Sequence, residues 1–121
     1  MKINKSGVWG EIYAARYLRN NGYRIVTGNF RSRLGEIDLV AQKGSYMCFV
    51  EVKTRGEDSW YEPKEAVDFS KQKKLIATSK IFMKAYPNIY QPRFDVCEVL
   101  LDSDFKPKKI NYIENAFNES A

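Results

Sequence analysis

Asp38, Glu51 and Lys53 stand in two runs, "EIDLVAQ" and "YMCFVEVKT", that otherwise read as core strands. Charged groups leave water at a high cost unless they are paired or bound to something. Side chains alternate along a strand, so Met47, Phe49, Glu51 and Lys53 are expected on one face and Cys48, Val50 and Val52 on the other. Glu51 and Lys53 are then ~6.6 Å apart, two residues at ~3.3 Å each. Lys43-Gly44-Ser45 reads as a tight turn, which makes the two runs an antiparallel hairpin. The start of the earlier strand lies beside the end of the later one, bringing Asp38 close to Glu51 and Lys53. Two neighbouring carboxylates repel unless a cation joins them, and oxygen ligands suit Mg²⁺. A protonated lysine beside them can orient water or neutralise phosphate charge. Such a set suits phosphodiester cleavage. The charge pattern alone favours a simpler reading, an ion-pair cluster in which Lys53 bridges Glu51 and Asp38 at a sheet edge.

The elements that must position these groups follow from periodicity and breakers. A helix is expected over Ser6 to Asn21, with Ser6 as N-cap, Asn21-Gly22 as stop, and Val8, Ile12, Ala15 and Leu18 as its apolar stripe. Glu11 falls on or beside that stripe; by itself it reads as a rim acid pairing with Arg16 or Lys5. Strands are expected at Tyr23 to Phe30, Glu36 to Gln42 and Tyr46 to Thr54, with Arg31 to Gly35 as a basic turn. Gly56 to Pro63 reads as a mobile polar loop. Ser70 is the expected N-cap of a second helix, Lys71 to Tyr86, which buries Leu75, Ile76, Phe82 and Met83. Strands at Arg93 to Leu101 and near Lys109 to Ile113 complete the order α-β-β-β-α-β-β. On the fourth strand, Asp95 is expected to pair with Arg93. One mixed sheet flanked by helices is the economical packing.

Composition narrows the chemistry. With 121 residues, 44% of them hydrophobic, the chain suits a single domain spanning residues 1–121. No apolar run approaches the ~20 residues of a membrane span, and "MKINKSGVWGE" does not read as a signal peptide. Cys48 and Cys97 fall within predicted strands and read as reduced core residues, pointing to the cytoplasm. The absence of histidine removes the commonest general base and most zinc sites. A net charge of +5 mildly favours a polyanionic partner.

"GEIDLVAQKGSYMCFVEVKTR" resembles the PD-(D/E)XK nuclease signature, with Asp38 as first acid and Glu51-Val52-Lys53 as the E-x-K. From roughly Gly7 to Val99 the chain is similar to the YraN family of small bacterial proteins, themselves distantly similar to archaeal Holliday junction resolvases. The carrying segments are "GVWGEIYAARYLRNNGYRIVTGNFRSRLGEIDLV", "FVEVKTR", "EAVDFSKQKKLIATSKIFM" and "RFDVCEV". The resemblance implies a restriction-endonuclease-like α/β fold and a Mg²⁺- or Mn²⁺-dependent DNA endonuclease, acting on branched or junction DNA and forming a homodimer. It implies that Asp38, Glu51 and Glu11 hold the metal, that Lys53 is the catalytic lysine, and that Gln72 faces the site from the second helix. Ile37 stands where the simplest signature has proline. Arg31, Arg33, Arg55, Lys71, Lys73 and Lys74 are the expected phosphate contacts. A nucleic-acid-binding module with a vestigial nuclease site is the alternative.

Overall fold

The structure, a computed structural model, describes residues 5–57 and 67–119. The elements are α1 (Lys5–Asn20), β1 (Arg24–Ser32), β2 (Gly35–Lys43), β3 (Tyr46–Gly56), α2 (Phe69–Ala85), β4 (Gln91–Leu101) and β5 (Pro107–Phe117). This is the order expected from sequence. The strands form one five-stranded sheet in the order β1-β2-β3-β4-β5. All neighbours are antiparallel except β3 and β4, which run parallel and are joined through α2. Residues 58–63 of the expected loop, Trp60 and Tyr61 among them, lie outside the described residues. No helix among the described residues is long and apolar enough to cross a membrane.

Each face of the sheet carries one helix and one apolar cluster. Ala14 and Leu18 of α1 pack with Leu39, Ala41, Cys48, Val50, Cys97 and Val99. Leu75 and Phe82 of α2 pack with Val40, Met47, Phe49, Phe94 and Val96 on the other face. The alternation expected for residues 47–50 therefore holds. Cys48 and Cys97 are free and fully buried, and burial pushes both thiols up to about 12. Arg93 pairs with the buried Asp95 at 2.8 Å, as expected, and Tyr112 Oη also donates to that carboxylate, at 2.6 Å.

Several local expectations are corrected. Val8 and Ile12 are exposed, at 48% and 39%; α1 instead buries Gly10, Tyr13, Ala14, Ala15 and Leu18. The small residues Gly10 and Ala14 form the line of closest approach, and the bulkier pair is left at the rim. A Cβ at Gly10 would stand 2.0 Å from Thr54 Oγ1, so only glycine lets α1 sit this close to β3. Ser6 lies within α1 rather than capping it. The cap of α2 is Asp68, whose carboxylate accepts the Lys71 N–H at 2.8 Å; Ser70 lies inside the helix. β5 runs to Phe117, which is buried and stacks on Phe94, so the chain end carries more structure than its sequence signalled.

Candidate active site

The acids meet at a fork in the sheet. The ladder between β2 and β3 ends at Leu39 and Val50, whereas β2 stays paired with β1 as far as Gly35 and β3 with β4 as far as Gly56. Beyond Leu39 and Val50 the two central strands part, each following its outer neighbour. Ile37 and Val40 pack in the α2-side cluster and Leu39 and Ala41 in the α1-side one, so strict alternation fails across Asp38. The parting leaves the Val52 N–H beyond the β2–β3 backbone ladder, and the Asp38 side chain accepts it instead, through Oδ2 at 2.8 Å. Asp38 and Glu51 are thus neighbours at the fork, as the hairpin register requires.

Glu51 is buried, and its Oε1 accepts the Lys71 ammonium at 2.8 Å. Glu11 enters from α1. Its Oε1 is buried and finds no hydrogen-bond partner among the described residues. Burial, followed by the charges of Glu36 and Glu51, raises the Glu11 carboxyl; Arg31 opposes this. The rim pairing with Arg16 or Lys5 is not what α1 builds: the Arg16 guanidinium lies over the Tyr13 ring. Burial and then Glu51 push Asp38 up to about 7, with Glu11 adding to the rise; the Val52 N–H bond and Lys71 pull the other way. Three acids from three elements therefore share one field. Burial is the larger cause of each rise, and the neighbouring acids add to it.

Lys53 lies two residues beyond Glu51, half-buried and opposite Glu98 in the register with β4. The ammonium on Glu51 belongs to Lys71, which overturns the simple ion-pair reading with Lys53 as the bridge. Gln72 does not take the expected place: its amide donates to the Val67 carbonyl oxygen at 2.7 Å. Lys71 reaches the acids instead, having been expected only as a phosphate contact. Glu98 was missed as a buried acid; it is 5% exposed and accepts from Asn111 at 2.7 Å. Its signal was a charge inside the apolar run "FDVCEVLL", of the same kind that marks Glu51.

The expected phosphate contacts separate. Arg31, Arg33 and Lys74 line one cleft of about 410 Å³ with Gly35 and Glu36. A second cleft, of about 380 Å³, shares Gly35, Glu36 and Lys74 and carries Lys71. The two make a continuous basic path to the amine that holds Glu51. Gly35 permits the contact with α2, since a Cβ there would stand 3.1 Å from Thr78 Oγ1 and 3.4 Å from Lys74 Cβ. Within this path Arg31 pairs with Glu36 at 3.4 Å. Lys73 lies over the Phe69 ring, and Arg55 stands opposite Leu100 near the end of β3.

Among the described residues no three acids, histidines or cysteines are gathered tightly enough to grip an ion as they stand. The donor chemistry nevertheless suits a hard divalent cation: oxygen only, two mutually repelling acids, and a third with an orphaned oxygen. Mg²⁺ needs only one or two carboxylates and keeps several waters.

Fold and site define an α/β protein whose mixed sheet opens onto a cluster of acids beside a basic cleft. Residues 10–99 match the Uncharacterised protein family UPF0102, and the chain belongs to that family. A UPF0102 protein of Caldanaerobacter subterraneus subsp. tengcongensis is 45% identical over 121 residues, 96% of this chain and 98% of its own. One of Alkaliphilus metalliredigens is 47% identical over 92% of this chain and 96% of its own. A third, of Clostridium beijerinckii, is 44% identical over 96% of each.

Proposed function

We propose that the chain is a divalent-cation-dependent endonuclease that hydrolyses phosphodiester bonds in DNA, with branched or junction DNA as the substrate class. The observation that carries the reading is the meeting of Glu11, Asp38 and Glu51 at the fork, with one buried oxygen orphaned and Asp38 raised to about 7. A divalent cation would offset the repulsion among these acids. Asp38 and Glu51 would hold Mg²⁺ or Mn²⁺, with Glu11 joining directly or through water. A bound cation of this kind polarises the phosphoryl oxygen and neutralises developing charge. Lys53, two residues beyond Glu51, orients the attacking water and stabilises charge on the phosphate. Arg31, Arg33 and Lys74 hold the flanking phosphates in the cleft. A symmetric two-strand cut calls for a homodimer.

The lack of a ready three-acid grip among the described residues favours one other reading, a nucleic-acid-binding module with a vestigial site. Incubating branched, nicked and linear DNAs with Mg²⁺, Mn²⁺ or chelator separates the two. Cation-dependent cleavage of any substrate supports the nuclease. DNA binding without cleavage of any substrate supports the module.

A further inference from the structure

We infer that Lys71 is an exchangeable counter-ion: it occupies the cation's place on Glu51 and passes to a nucleic-acid phosphate when the cation binds. The inference rests on the nuclease reading of the fork. The Glu51 side chain is only 6% exposed, so its charge needs a partner, whereas that of Lys71 is 48% exposed and can leave without entering a dry environment. The contact is a single ammonium–carboxylate bond of 2.8 Å, not a two-pronged clamp. Nor does α2 gain from this lysine. Lys71 stands three residues after the Asp68 cap, in the first turn, where the positive end of the helix dipole disfavours a cation. Its service is therefore to Glu51 and to the cleft outside. The same cleft carries Lys71 and Lys74 side by side, so a released ammonium remains lined up with the basic path. A divalent ion brings two charges to acids that Lys71 serves with one. The exchange trades a protein counter-ion for a cation and frees one phosphate contact in the same move.

Two measurements test this. Mn²⁺ binding, followed by loss of the free-ion electron paramagnetic resonance signal, is compared in the parent, Lys71→Ala and Lys71→Gln. Circular dichroism establishes that each is folded, and Lys71→Gln can keep a hydrogen bond to Glu51 if the alanine variant unfolds. The exchange predicts Mn²⁺ binding up to about fivefold tighter in both variants, the scale set by removing one half-exposed ion pair. A fixed structural pair predicts unchanged or weaker binding. The second measurement is the salt dependence of duplex affinity with Ca²⁺ and with chelator. The cation should steepen the parent's log–log slope by about 0.9 more than that of Lys71→Ala, one extra phosphate contact. If the parent binds Mn²⁺ through Asp38 and Glu51 but the variants bind no tighter, the exchange is wrong and the metal site stands. If neither parent nor variants bind Mn²⁺, both ideas fall.

Discussion

Replacing Asp38 by asparagine should stabilise the cation-free protein and abolish cation binding, two opposite effects from one substitution. Asparagine keeps a carbonyl oxygen to accept the Val52 N–H, so the hydrogen bond at the fork survives and only the charge is lost. The Asp38 carboxyl rises from 3.8 to about 7 on folding. The folded state thus holds this proton more tightly than the unfolded state. Stability contributed by the group is fully present below about pH 4 and lost as pH rises through about 7. About 3 pH units at ~1.4 kcal/mol each set an upper bound of about 4 kcal/mol. Asp38 is partly exposed, so solvent screening brings the expected value to about 2 kcal/mol. Urea unfolding with chelator at about pH 8 should show Asp38→Asn the more stable by that amount, and the gap should close near pH 4. Mn²⁺ should then stabilise the parent and leave the variant unchanged. A variant less stable than the parent at the higher pH, or a gap that does not vary with pH, would refute the argument that Asp38 is a strained acid.

Lys53→Ala should remove cleavage by ~10²–10⁴ in single-turnover rate while leaving Mn²⁺ and DNA binding nearly intact; Lys53→Arg should not restore it, because a planar fork cannot replace a compact point charge. Equal rates in all three proteins would take Lys53 out of the mechanism. Gly10→Ala should destabilise by about 1–3 kcal/mol through overpacking against Thr54, and Thr54→Ala should recover part of that loss in a double-mutant cycle of urea midpoints. Additive effects at the two positions would mean that this contact does not seat α1.

The element order was legible because each strand and helix keeps its own apolar period and carries its own turn residues. The approach of Asp38 to Glu51 was legible for the same reason: Lys43 to Ser45 sets the hairpin register, and the register sets which ends meet. What could not be read was tertiary. Nothing local says that β2 leaves β3 at Leu39, yet that parting breaks the alternation at Asp38 and frees the Val52 N–H. The rotation of α1 is decided by the closeness of Gly10 to Thr54, so the bulkier Val8 and Ile12 were wrongly expected inside. Lys71 and Gln72 differ by ~100° around a helix, and the seating of α2 decides which of them meets Glu51. Asp68 displaced Ser70 as the cap because the helix begins two residues earlier than its charged run suggests.

The claim on which the rest depends is that acids from α1, β2 and β3 form one cation site. Its most direct test is a calorimetric Mn²⁺ titration of the parent, Asp38→Asn, Glu51→Gln and Glu11→Gln under one buffer and salt. The account predicts binding by the parent, none by Asp38→Asn or Glu51→Gln, and weakened binding by Glu11→Gln, whose oxygen joins directly or through water. Binding by all three variants as tight as the parent's would contradict it.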